Sequence, residues 1–205
     1  EFRKQDNVFF LFFPLDRNQA IAKYDGTLLS LLMNIPALRH MRTFNSKIDN
    51  VKWLNRQPYA LDIALLNNSG ENIWLEQAKY IQENLKDSDI DKAFATLPKE
   101  VQDHSIDEIK SKLKNRKKYL QKYASQYYDV LSKTILIVGT DKKDKFVINH
   151  KDRKSIEIQV FNYNGGIEKL VYTKNVNDAK TKNLWIYGLN DNDVFDVIGT
   201  QKSKI

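Results

Sequence analysis

The chain contains no cysteine. Disulfides, thiol nucleophiles and Cys-ligated zinc are therefore excluded. Histidine is scarce: His40, His104 and His150 stand far apart, without the spacing of a metal-ligand set or a catalytic pair. Glycine and proline are few, at seven and four, so no flexible linker rich in either divides the 205 residues. Long apolar runs are missing as well. The run Val8 to Phe13 falls far short of a membrane span, and no membrane insertion by this chain is expected.

What is present is the composition of a chain that folds, with 41% hydrophobic and 29% charged residues. The net charge of +7 comes mostly from lysine. A basic balance suits nucleic acid, an anionic membrane surface or an acidic partner, and selects none of them. The chain begins Glu1-Phe2 without a Met and ends Lys202-Ser203-Lys204-Ile205 just after a predicted strand. It reads as a piece of a longer protein.

The densest apolar stretch is Phe9-Phe10-Leu11-Phe12-Phe13, closed by Pro14 and followed by Leu15-Asp16-Arg17-Asn18. A short aromatic run of this kind predicts a buried strand, and proline ends its pairing because it has no N–H to donate. Asp16 then stands at the strand's mouth, where phosphotransferases hold Mg²⁺ by a carboxylate. Asn18 would be its neighbour at the metal. The simpler reading makes both residues caps of the following turn or helix.

Helical spacing dominates from there to about Thr134. Thr27 is read as the cap of a helix from Leu28, and apolar positions at threes and fours give a clear helix from Glu71 to Leu85. Asp87-Ser88-Asp89 caps the next, Ile90 to Leu97. Arg39, His40 and Arg42 cluster and could hold an anion, or serve as solvated cations at a helix end. Ser105 and Glu108 have the spacing of a capping box, which opens one long helix running to Leu131. One face of it is apolar. The other carries Lys110, Lys112, Lys114, Arg116, Lys117, Lys118 and Lys122. This stripe, Lys114, Lys117 and Lys118 above all, could bind phosphates, with Tyr119, Tyr123, Tyr127 and Tyr128 stacking bases. A solvated lysine face with tyrosines at the core edge is the simpler reading.

From Ile135 the period becomes two. Strands are predicted at Ile135–Thr140, Phe146–Ile148, Ile156–Phe161, Leu170–Tyr172, Leu184–Tyr187 and Val194–Ile198, with a hairpin turn at Asn162–Gly166. The segment Gly188-Leu189-Asn190-Asp191-Asn192-Asp193-Val194-Phe195 partly fits the calcium nonapeptide of parallel β-rolls. Asp191 and Asp193 are its candidate calcium ligands. Only one copy is visible, and a polar hairpin turn is preferred. The fold class is thus α+β. A helical part, residues 1–134, with one short buried strand and then about six helices, is expected to pack on a mostly antiparallel β part, residues 135–205.

The motifs follow one another in a recognisable order. They are Pro14-Leu15-Asp16-Arg17-Asn18-Gln19-Ala20 with Asp25-Gly26, then Phe44-Asn45-Ser46-Lys47-Ile48-Asp49-Asn50-Val51 with Leu54-Asn55. Next come Asp62 with Leu65, Trp74, Leu85-Lys86-Asp87-Ser88-Asp89-Ile90-Asp91-Lys92-Ala93-Phe94 and Leu97-Pro98. Val138-Gly139-Thr140-Asp141 and Ile186-Tyr187-Gly188-Leu189 with Asp193-Val194-Phe195 complete the series. In this order nearly the whole chain resembles a region of large envelope proteins of Bacteroidetes-type bacteria. That region lies between a calcineurin-like metallophosphoesterase domain and a surface-antigen-type outer-membrane barrel. The first motif is also similar to the metal-binding segment of atypical kinases of the spore-coat and phosphatidylinositol kinase-like groups.

The resemblance implies a periplasmic or outer-membrane-associated location, with flanking domains of the same parent chain or another protein as partners. It implies Asp16 as a Mg²⁺ ligand. The related envelope proteins tend to read Asp-Arg-Asp-Gln, where this chain has Asn18. The base-bearing Asp-Arg-His loop of such kinases has no counterpart before Phe9. The expectation is a non-catalytic structural or interaction portion of a cell-envelope protein. A metal-dependent phosphotransferase or phosphohydrolase using Asp16 is the alternative, and nucleic-acid binding through the Lys110–Lys122 face is the second alternative.

Overall fold

Apolar spacing changes from helical to alternating near residue 131, and the structure changes with it. The computed structural model describes residues 21–24, 26–66, 69–164, 166–177 and 179–199. The Phe9–Ala20 stretch, with Asp16 and Asn18, lies outside the described residues, as does Asp25. Among the described residues seven α-helices precede six β-strands, an α+β fold. The chain forms two compact units, residues 1–130 and 131–205.

Unit one holds α1 (Thr27–Leu32), α2 (Val51–Leu54), α3 (Tyr59–Leu66), α4 (Glu71–Asn84) and α5 (Asp87–Ala95). A 3₁₀ turn at Lys99–Val101 leads to α6 (His104–Lys118) and α7 (Leu120–Leu131), whose last residue belongs to unit two. The single long helix expected from Ser105 to Leu131 is therefore two helices, broken at Tyr119. The break has a partner: the Gln82 amide on α4 donates to the Lys117 and Lys118 carbonyls at 2.8 and 3.0 Å. Carbonyls freed from the helix ladder are satisfied from outside it. The expected capping box also moves. Asp103 is the cap, accepting from the Ser105 N–H at 2.8 Å, while Glu108 pairs with Lys112 at 2.6 Å. Thr27 is the first residue of α1 rather than its cap, which is Gly26 at φ 104°.

The apolar face of α7 explains its packing. Tyr123 and Tyr127 are buried, and the Tyr127 ring meets Trp74 of α4 edge-on at 5.8 Å. The Tyr127 hydroxyl donates to Asp62 on α3, and Ser125 donates to Glu71 at 2.9 Å. Burial, and then the Asp62 carboxylate, raise the Tyr127 phenol well above its usual range. The segment before α2 is tied down from α6 and α7. Asn115 donates to the Ser46 carbonyl at 3.0 Å, and Tyr123 accepts the Ile48 N–H at 3.0 Å.

Unit two holds β1 (Thr134–Val138), β2 (Asp144–His150), β3 (Ser155–Asn164), β4 (Ile167–Asn177), β5 (Asn183–Tyr187) and β6 (Val194–Ile198). β2, β3 and β4 form an antiparallel meander, the part expected from the Asn162–Gly166 turn. The sheets as a whole are mixed, because β5 lies parallel to β1 and β6 parallel to β2. After β2 the chain runs out through the β3–β4 hairpin and returns in the direction in which it first passed. Ile135, Ile137, Phe146, Ile156, Ile158, Val160 and Val176 make the buried core, joined at its edge by Ile148, Tyr172, Leu184 and Ile186.

Candidate functional site

Arg39, His40 and Arg42 do not converge on a common point through the contacts they make. The Arg39 guanidinium lies 5.1 Å over the Trp53 ring and its Nε donates to the Asn34 carbonyl at 3.1 Å. The Arg42 Nε donates to the Arg39 carbonyl at 2.9 Å. Arg42 instead lines a cavity of about 170 Å³ with Lys47, Asn50, Asp49 and Arg116. Arg116 is held there by its own stacking, 3.9 Å over the Phe44 ring, and by a bond to the Asn45 carbonyl at 2.6 Å. Burial lowers the Arg116 pKa from its usual value.

The lysine face of α6 is largely neutralised by acids from two sources. Lys114 binds Asp91 at 2.7 Å and Lys117 binds Asp87 at 2.5 Å, both on α5. Lys110 binds Asp107 at 2.6 Å on the first turn of α6 itself. Lys118 is exposed. Of the tyrosines considered for base stacking, Tyr123 and Tyr127 are buried. The acids of α5 lie outside the helix on which the stripe was read, so a scan of that helix alone overstates its charge.

Asp191 and Asp193 open onto the most informative geometry in the chain. The segment between β5 and β6 is not a hairpin turn, because those strands belong to different sheets. It is an arch from one sheet to the other, and a second arch, between β1 and β2, lies beside it. The register makes the match explicit. Thr134 faces Asn183, Val138 faces Tyr187, Phe146 faces Phe195 and Ile148 faces Val197, all with one offset. The Asp144 N–H donates to Asp193 Oδ1 at 2.8 Å and the Asn190 amide to Asp141 Oδ1 at 2.9 Å, each across that same separation of 49 residues. The Phe146 and Phe195 rings stack with centroids 4.9 Å apart and planes 14° from parallel.

Gly139 and Gly188, Asp144 and Asp193, and Phe146 and Phe195 are thus equivalent pairs in a two-copy repeat. Each repeat reads Gly, then Asp five positions on, then Phe two further. The chemistry of the pattern is visible in the contacts. Asp144 is fully buried, and its Oδ2 accepts from both the N–H and the hydroxyl of Thr140, closing the arch across its base. A Cβ on Gly139 would come 2.7 Å from Asp144 Oδ2, 2.8 Å from the Gly188 carbonyl and 2.9 Å from Phe146 Cζ. A Cβ on Gly188 would meet Asp193 Oδ2 at 1.9 Å. The glycines make room for the carboxylates.

Asp193 therefore binds a backbone N–H of the neighbouring arch, and Asp191 Oδ1 accepts from the Asn192 N–H at 2.8 Å. Among the described residues no three acidic or histidine side chains are grouped so as to hold a metal ion. Asp144 Oδ1 is buried and has no hydrogen-bond partner among them. The sequence showed one calcium-type segment where the structure shows two related arches. The signal that reveals the first is the aligned Gly139, Asp144 and Phe146, hidden by the different residues between them.

No family model matches the chain, and no curated protein or solved structure matches it either.

Proposed function

We propose that this chain is a non-catalytic interaction portion of a larger bacterial cell-envelope protein, periplasmic or associated with the outer membrane. Its work is contact with other polypeptide, from flanking domains of its parent or from a separate protein. The observation that supports this reading is the open end of the arch stack. Phe195 and Val197 stand in the same rows as the core residue Phe146 and the half-buried Ile148 at the core's edge, yet they are 51% and 61% exposed. Side chains patterned for a core but left uncovered are the usual mark of a contact surface.

Nucleic-acid binding draws less support, since Lys114 and Lys117 are already held by Asp91 and Asp87. No contact among the described residues speaks for phosphotransfer at Asp16. The test is direct. The chain is incubated with Mg²⁺ and ATP, and separately with a simple phosphomonoester. No turnover and no nucleotide-dependent thermal shift are expected. Metal-dependent turnover that disappears in Asp16→Ala would overturn the proposal.

A further inference from the structure

Among the described residues the second arch is bonded on one side only. β5 turns toward β1 through alternate residues: the Asn183 N–H donates to the Lys133 carbonyl at 3.0 Å, and the Tyr187 carbonyl accepts from Gly139 at 2.7 Å. In a parallel ladder the residues between them point their N–H and C=O groups the other way. Leu184 and Ile186 therefore present theirs at an edge where no strand pairs among the described residues. β6 is likewise the last strand of its sheet. The Asp144 N–H is taken by the Asp193 carboxylate, but the Asp193 N–H finds no acceptor among the described residues. The upper face of the Phe195 ring, opposite Phe146, is the one left open. Among the described residues, the second arch has no outer strand, no acceptor for the Asp193 N–H and no ring on Phe195 of the kind that it supplies to the first.

We propose that this face takes a third arch, supplied by another polypeptide segment in parallel register. The segment has two short apolar-alternating strands. Between them stand a glycine, an Asp or Asn five positions later and an aromatic residue two further. Its strands pair with β5 and β6, its carboxylate accepts the Asp193 N–H, and its ring stacks on Phe195. This rests on the reading that the chain works by polypeptide contact.

The occupant follows from the interface it would continue. Stacking the second arch on the first already shows which groups such a segment must offer, and in which direction it must run. A second copy of the chain does not supply them. Its first arch has the outer edge of β2 covered by β3, so it can offer only β1. Its second arch, brought face to face about a two-fold axis, would run antiparallel and offer no carboxylate to the Asp193 N–H, since each Asp193 carboxylate is already turned to its own Asp144 N–H.

A synthetic peptide copying residues 183–199 carries the required pattern and serves as the probe. At saturation, amide exchange at Leu184, Ile186 and Asp193 of the protein is expected to slow, with β3 and β4 unchanged. In the peptide, Asp193→Ala should weaken binding by about tenfold or more, as loss of a charge-assisted bond does. Gly188→Val in the peptide should weaken it comparably, because the arch cannot close around a side chain there. Equal binding by a scrambled peptide, or slowed exchange elsewhere, would overturn the proposal. So would self-association of the protein through β5 and β6 without peptide. Turnover in the Mg²⁺–ATP assay would instead remove the non-catalytic reading and leave a positive peptide result intact. A missing peptide effect without turnover removes only the third arch.

Discussion

Alanine at Gly139 puts a methyl group where the two arches are tightest. The new carbon would lie 2.7 Å from Asp144 Oδ2, 2.9 Å from Phe146 Cζ and 2.8 Å from the Gly188 carbonyl. None of the three yields easily. Asp144 and Phe146 are both 0% exposed, and the third atom is backbone of the neighbouring arch. Overpacking of this kind costs about 1–3 kcal/mol. Any shift of the Asp144 side chain also weakens its bonds to Thr140, each worth about 0.5–1.5 kcal/mol. A total of about 3 kcal/mol is expected, and for a unit of this size that is a fall of roughly 12–24 °C in Tm. The assay is urea unfolding read on the β2 and β3 amide resonances. Gly166→Ala is the control. It has φ 83° and nothing within 4 Å, so it bears only the left-handed backbone cost of about 1–2 kcal/mol. A Gly139→Ala loss below about 0.5 kcal/mol, the range of indifferent surface changes, would refute the steric reasoning.

Three further outcomes follow from unit one. Gln82→Ala leaves the Lys117 and Lys118 carbonyls at the α6–α7 break without their donor, and should lower stability by about 1 kcal/mol in urea melts. Tyr127 holds its proton more tightly folded than unfolded, so as pH rises above the usual phenol value of 10.0 the unfolded chain ionises first and stability falls. Tyr127→Phe should remove that alkaline loss in melts taken across pH 9 to 11, a range set by roughly one unit about the unfolded value. Asp87 is shifted the other way: its hydrogen bond to Lys117 lowers the folded pKa below 3.8, so its contribution is present above that value and is lost as pH falls beneath it. Asp87→Asn should flatten the acid limb of a helical circular-dichroism titration.

The elements were legible where local pattern decides them. The alternation Ile156-Glu157-Ile158-Gln159-Val160-Phe161 and the Gly165-Gly166 pair gave the centre of β3 and its hairpin, though Asn162-Tyr163-Asn164, expected in the turn, continue the strand and pair with Lys169, Glu168 and Ile167. The break at Tyr119 was not, because it depends on Gln82, 35 residues from Lys117. The cap at Asp103 was missed since Ser105 and Glu108 satisfy the same spacing rule two positions later. The parallel pairings were illegible for a more general reason. Two apolar runs joined by a Gly- and Asp-rich segment look alike whether the strands pair with each other or with distant ones. Of the candidate groups, Arg42 gained Arg116 and Lys47 as neighbours, while Lys114 and Lys117 proved to be occupied by acids of another helix.

The spacing of the two arches also bears on the order in which unit two assembles. Contacts such as Asp144 to Asp193 close a loop of 49 residues, while Asn164 and Ile167 pair across a turn. Loop-closure entropy favours the hairpin by about 2.5 kcal/mol. The meander β2–β3–β4 is therefore expected to form first, and the second arch to settle on a surface already in place. In reverse, β5 and β6 peel away before the hairpin opens, so exchange at Trp185, whose N–H faces β1 in the alternation of Asn183 and Tyr187, should report a cheaper local opening than exchange at Ile158. The latest contacts in folding are then the earliest to be lost, and the unit gains or sheds structure one period at a time.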